Sequence, residues 1–218
     1  MIKIGGSLAN RPGNLRRLCA ALEVLASQHE ILVVPGGGRF ADLVRDVNRT
    51  HHLSDTAAHF MAVLGTDQYG ILLSSIAPEA RTVRDLKGAR ELQQNGQLPI
   101  LLPSKLIFHD NFLEHSWSVT SDSIAARIAG LSHAKKLILV KDVDGIFDSD
   151  PSKKKSAKLF RELPLPTLRS LRQTCVDPFL PRVLGEHRIE CYVVNGRHPR
   201  RVEAILEGSS TICTRIRP

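Results

Sequence analysis

Two glycine turns carry the residues best suited to chemistry: Lys3-Ile-Gly5-Gly6-Ser7 and Pro35-Gly36-Gly37-Gly38-Arg39. Each follows an apolar run and precedes a helical pattern. Glycine lets backbone N–H groups approach an anion with no Cβ in the way, and a following helix adds the positive end of its dipole. In a parallel sheet both turns fall at the carboxyl edge, where ligands of open α/β sheets bind. One such turn is only a turn. Two on consecutive strands suit two phosphate-sized groups held side by side, as a phosphoryl donor and acceptor would be. A rival reading exists, because Gly36-x-Gly38-x-x-Ala41 also matches a dinucleotide fingerprint with Asp55 further on. That acid should end a strand, whereas Asp55 opens an amphipathic helical stretch. No G-x-x-x-x-G-K-[S/T] loop occurs.

Three further segments matter. Val119-Thr120-Ser121-Asp122, followed by Ser-Ile-Ala-Ala126, reads locally as a helix cap. Lys141-Asp142-Val-Asp-Gly145-Ile-Phe147, with Asp150-Pro151 after it, is a strand ending in acids and a glycine, able to border a nucleotide. As a calcium loop it fails, since the glycine comes too early and no glutamate closes it. Val193-Val-Asn195-Gly196 is a strand ending in a turn. His51, Asp55 and His59 share helical spacing that suits a metal, but Ser54 starts the helix and leaves His51 and His52 in a loop. Surface histidines or an acceptor-site role are the other readings. Trp117 is expected in the core.

These segments need a scaffold, and the chain supplies alternating strands and helices, the pattern of a parallel sheet covered on both faces. Strands are expected at Ile2 to Ile4, Ile31 to Val34, Leu137 to Val140, Ile189 to Val194 and Thr211 to Ile216. Helices are expected behind Pro12, from Phe40, from Ser54, from Ser121 and over Val202 to Leu206. The broken stretch from Pro78 to Trp117 reads as strands with one short helix. Asp142 to Ala157, with Lys153, Lys154 and Lys155, reads as a mobile loop, either solvated or screening a nucleotide.

At 218 residues, with 42% hydrophobic and 24% charged, the chain has the composition of a globular protein. No apolar run approaches the ~18 residues of a membrane span. Cys19, Cys175, Cys191 and Cys213 stand far apart and suit a reducing cytosol. The net charge of +8 favours anionic partners. With aromatics at 5% and scattered, phosphorylated small molecules fit better than nucleic acid.

The five motifs in this order resemble the amino acid kinase superfamily over nearly the whole chain. That family shows K-x-G-G-S, G-G-G, T-x-D-x-x-A, D-V-D-G-x-[FY] with a following D-P, and a late N-G. The resemblance implies one α/β/α sandwich domain over 1–218 around a largely parallel sheet. The acceptor part would span roughly 1–130 and the nucleotide part roughly 131–218. It also implies ATP and magnesium (Mg2+) as cofactors, a cytoplasmic location, and a homodimer or higher homo-oligomer.

Carried over by motif, Lys3 would bridge the transferring phosphoryl group, with Gly5, Gly6 and Ser7 as donors. Gly36, Gly37 and Gly38, with Arg39, Thr120 and Asn195, would hold the acceptor. Asp122 would orient the catalytic cations. Asp142, Gly145, Phe147, Asp150 and Pro151 would border the nucleotide. The family's second lysine, in a G-G-M-x-x-K-like segment, has no counterpart in Thr174-Cys-Val-Asp-Pro-Phe-Leu-Pro-Arg182. Arg182 is therefore expected as its substitute, although arginine and lysine present different geometry to phosphate. The usual closing G-T is here Cys213-Thr214. No direct metal ligand is assigned. The short chain and the T-C-V-D-P-F-L-P run look most like the small kinases of methanofuran synthesis, which turn an aminomethyl-furanmethanol phosphate into its diphosphate. Uridylate, acetylglutamate and isopentenyl phosphate kinases are the neighbours. A non-catalytic nucleotide binder on the same fold is the alternative of another class.

Overall fold

The structure is a computed structural model that describes every residue except 111, 172 and 173. Its centre is an eight-stranded sheet in the order β3-β4-β2-β1-β5-β7-β8-β6. The strands are β1 (Ile2–Ile4), β2 (Val33–Pro35), β3 (Ala80–Val83), β4 (Leu98–Leu101), β5 (Lys136–Lys141), β6 (Glu162–Pro164), β7 (Glu190–Asn195) and β8 (Thr214–Arg217). All neighbours run parallel except β7 and β8.

Side chains alternate along the central strands, and both faces are buried. Ile2, Ile4, Val33, Ile138, Val140 and Val194 join one core cluster with α1 (Pro12–Ala26), α3 (Asp55–Ile76) and α9 (Pro199–Glu207). Val34, Leu137, Leu139 and Val193 join the other with α4 (Leu86–Gln94), α6 (Ser121–Leu131), α7 (Leu165–Ser170) and α8 (Leu180–His187). The result is a three-layer α/β/α sandwich. This is why Ile31 to Val34 and Leu137 to Val140 read as unbroken apolar runs: a strand covered on both faces has no solvent-facing side.

The alternation also aims two lysines. Ile2 and Ile4 face the α1 side, so Lys3 between them faces the α6 side. Leu137 and Leu139 face the α6 side too, and Lys141 follows in the same phase. Because β1 lies beside β5, with Lys3 opposite Leu139, both ammonium groups emerge beneath the start of α6.

Several local expectations need correction. The stretch from Pro78 to Trp117 holds two helices, α4 and α5 (Ser104–Ile107), not one. Asp85 starts α4 by accepting a 3.0 Å bond from the Gly88 N–H, a cap that a proline-broken sequence obscures. His51 is the last residue of α2 (Gly38–His51) and so is not in a loop, whereas His52 takes a left-handed conformation that ends the helix and lies in the connection, as expected. Ser54 caps α3 as expected. The polar segment after β5 is tied back, through bonds of 3.0 Å from the Asp148 N–H to the Lys158 carbonyl and 2.9 Å from the Phe160 N–H to the Ile146 carbonyl. Trp117 is not in the core. It stays 36% exposed in the connection before α6, with the Arg45 guanidinium 5.0 Å above its ring. Cation–π contact serves it there in place of burial.

Candidate active site

The two glycine turns meet backbone to backbone. A Cβ on Gly6 would lie 2.0 Å from the Gly38 nitrogen and 2.3 Å from its Cα, so any side chain would push the turns apart. Gly38 also has φ +53°, which favours glycine. The 3-10 turn at Gly6–Asn10 follows the first loop and α2 follows the second, so two sets of free N–H groups converge on one spot.

Beside it stands the charged centre. Asp122 is 2% exposed and accepts from two ammonium groups, Lys3 at 2.8 Å on one oxygen and Lys141 at 2.7 Å on the other. Burial alone would raise the Asp122 pKa. Lys141 and Lys3 outweigh burial and hold the carboxylate well below its usual range. Burial lowers the Lys3 pKa, against the pull of Asp122, whereas Asp122 overcomes burial at Lys141 and raises it. The arrangement is two fixed cations on one carboxylate at the edge of an anion cradle.

Helix α6 is held in place from outside. Thr120 precedes it without a side-chain cap of its own, and Asp177 does that work. Its carboxylate accepts from the Thr120 N–H at 3.1 Å, the Thr120 hydroxyl at 2.8 Å, the Ser123 N–H at 2.9 Å and the Ser123 hydroxyl. It also takes the Leu180 N–H at 2.9 Å, tying α6 to the start of α8. Burial and the nearby Asp122 push the Asp177 pKa up.

These groups line a cavity of about 490 Å³. Of the residues expected from sequence, it brings together Lys3, Gly5, Gly6, Ser7, Gly37, Gly38, Arg39, Thr120, Asp122 and Asp142. Gly36 lies just behind, its N–H bonded to the Ile4 carbonyl at 2.8 Å. Gly145, Phe147, Asp150 and Pro151 stand outside the cavity. Gly145 packs against Thr214, whose hydroxyl accepts the Ile146 N–H at 2.8 Å; Phe147 bridges to Leu159; and Asp150 accepts from Ser152. Asn195 lies outside as well, donating to Asp144 at 2.9 Å and accepting the Arg197 N–H at 3.0 Å. Arg182 is not brought to Asp122. Its side chain is 61% exposed and pairs with Glu114 at 2.9 Å. The second cation on Asp122 is Lys141, a residue within a quoted motif to which sequence reasoning gave no role. The pairing of β1 with β5 was the signal that would have found it. The cavity also takes in Asp55, His59, Trp117, Cys175 and Asp177.

Among the described residues no group of three or more His, Cys, Asp or Glu side chains could hold a metal ion. A magnesium ion here would have to enter on a nucleotide's phosphates and not rest on a cage of side chains. No helix among the described residues is long and apolar enough to cross a membrane.

Known proteins resemble this chain along its length. The model of the Amino acid kinase family matches residues 1–195. A [5-(aminomethyl)furan-3-yl]methyl phosphate kinase of Methanocaldococcus jannaschii is 36% identical, covering 99% of this chain and 96% of that protein. A uridylate kinase of Archaeoglobus fulgidus is 24% identical over 94% of each chain. Among solved structures, a uridylate kinase from Archaeoglobus fulgidus superposes with a TM-score of 0.76 at 23% identity, covering 99% of both chains. The isopentenyl phosphate kinase of T. acidophilum, in a product complex, gives 0.66 at 21% identity, covering 99% of this chain and 98% of that one.

Proposed function

This chain belongs to the amino acid kinase family and is a phosphotransferase, and on that footing we propose that it transfers the γ-phosphoryl group of ATP to [5-(aminomethyl)furan-3-yl]methyl phosphate. The observation that carries the chemistry is the pair of lysines fixed on Asp122 beside the touching glycine turns. Phosphoryl transfer asks a protein for positioning and charge neutralisation more than for covalent chemistry. An oxygen of the acceptor phosphate attacks the γ-phosphorus while the bond to the β–γ bridging oxygen breaks, giving a diphosphate and ADP. The attacking oxygen is already anionic, so no general base is required.

The roles divide by position. Backbone N–H groups of the first glycine turn and Lys3 hold the transferring group. The second turn, through Gly37 and Gly38 with Gly36 shaping it from behind, holds the acceptor phosphate at the head of α2. Lys141 shares the charge that develops on the departing nucleotide, and Asp122 keeps both cations in place. Asp142 borders the nucleotide inside the cavity, and the Gly145–Pro151 segment would meet only the part of it that extends beyond. Magnesium, carried in on the nucleotide's phosphates beside Lys3 and Lys141, would supply further neutralisation of phosphate charge.

The test is a panel of acceptors scored by ADP release: the furan phosphate, its dephosphorylated alcohol, UMP, isopentenyl phosphate, acetylglutamate and aspartate. The furan phosphate is expected to lead and the alcohol to be nearly inert. A preference for a free amino acid would overturn the acceptor and leave the kinase standing. No ADP release with any of them would favour a nucleotide-binding protein without turnover.

The active form is a homodimer. Met61, Leu64, Ile71 and Leu72 form an exposed apolar stripe on α3, on the side of the helix turned away from Tyr69 and Leu73. Apolar surface arranged this way calls for a partner, and a second copy is the family's usual one. Light scattering at micromolar concentration should return the dimer mass, and Ile71→Glu should return the monomer. A wild-type monomer defeats this assignment.

A further inference from the structure

The cavity is bipolar. Along α3, Asp55, Ala58, His59, Ala62, Val63 and Thr66 all face it, a spacing of one helical stripe. The Thr66 end belongs to the phosphate cradle, because Tyr69 on the next turn donates its hydroxyl to the Gly5 carbonyl at 3.3 Å. Asp55 therefore marks the opposite end, about 16 Å further along the axis at about 1.5 Å per residue.

The chemistry of the two ends is opposite. Lys3, Lys141 and the glycine N–H groups make the near end a site for anions. At the far end Asp55 is exposed and pairs with no cation among the described residues. At the cradle end, on the first turn of α2 beside Gly38, Asp42 is occupied by Arg45 at 2.6 Å, and Arg39 is tied to Asn10 at 3.2 Å. His59 is 7% exposed, and its Nε2 has no hydrogen-bond partner. Burial, with His115 beside it, pulls the His59 pKa down to about 4, so the ring is neutral and repels no cation. His115 stacks on it at 4.7 Å and bonds Thr56 at 3.0 Å. Trp117 offers the remaining aromatic surface.

We propose that Asp55 reads the primary ammonium group of the acceptor, while His59 and Trp117 wall the flat ring that joins the ammonium to the phosphate. This rests on the phosphate-kinase reading above and adds the residue that selects an amine-bearing acceptor. A carboxylate at one end and the N–H groups of the second glycine turn at the other match a zwitterion, an anion and a cation joined by a rigid spacer. An acceptor with hydroxyls in place of the amine leaves Asp55 without its charge partner.

The test compares two acceptors, the aminomethyl-furan phosphate and the same molecule with a methyl group in place of the aminomethyl. Wild-type protein should favour the amine through KM. Asp55→Asn should raise KM for the amine acceptor at least tenfold more than for the methyl analogue, and Asp55→Glu should keep most of the preference. Thermal midpoints are measured alongside, because Asp55 also opens α3. The inference is overturned if Asp55→Asn keeps the wild-type preference, if it loses both acceptors equally, or if wild-type protein shows no preference. A wild-type protein that phosphorylates neither furan acceptor overturns the acceptor reading itself, and the role of Asp55 with it.

Discussion

Replacing Lys3 or Lys141 with alanine is expected to lower kcat by roughly 100-fold or more, the usual scale for losing one preorganised group that stabilises transition-state charge. Lys3 is buried, Lys141 is largely so, and both are locked on Asp122, so little reorganisation would be needed as negative charge builds on the bridging oxygen that leaves with ADP. Arginine should not restore either position, because its planar fork is larger than the point charge that these strands aim. The fold should survive each single change, since Asp122 keeps one partner. Steady-state ADP release checks this, and the loss should fall on kcat more than on KM. Either alanine variant working within threefold of wild type would remove that lysine from the mechanism.

Asp122→Asn should cost both activity and stability. The carboxylate is the only described acid bonded to either lysine, and without it two ammonium groups face each other under α6. Breaking a buried pair by removing one partner costs about 3–5 kcal/mol, and the lysines lose the anchor that sets their positions. The loss should depend on pH. The Asp122 pKa is depressed in the folded state, so its contribution is fully present above the unfolded carboxylate value of about 3.9. It is lost as pH falls through the depressed folded value. Urea midpoints of wild type and Asp122→Asn should therefore differ widely at neutral pH and draw together in strong acid. Equal midpoints at pH 7 with near-normal turnover would make the triad incidental.

The parts of this site that local chemistry dictates were legible in the sequence. Two glycine turns after apolar runs, a lysine inside a strand and an aspartate at a helix start each advertise themselves. They also lie together in the cavity. Residues whose importance depends on which strands are neighbours were not legible. Lys141 matters because β5 lies beside β1, although the two are far apart in the sequence. Arg182 drew attention by its place in the chain, yet it sits on α8 facing solvent and Glu114. Asp177 lay in plain view within an unusual run, but a cap supplied to a helix from a distant loop leaves no periodic trace. The layers were readable because a doubly covered strand is apolar on both faces except where it carries a site residue, as β1 does at Lys3. The short elements between residues 158 and 188 were not, since β6 is three residues long and α7 six.

The contact between Gly6 and Gly38 has a consequence for how such a scaffold can change its diet. With main chain against main chain, no room exists at the phosphate end for tuning by substitution. The cradle is common hardware, indifferent to what the phosphate is attached to. Diversification must then fall on the cavity face of α3, where Asp55, Ala58, His59 and Ala62 present side chains that can be exchanged without disturbing the transfer step. An engineer seeking a new acceptor should randomise that stripe and leave both loops alone. Among functional clones the loops should come back invariant while the stripe drifts.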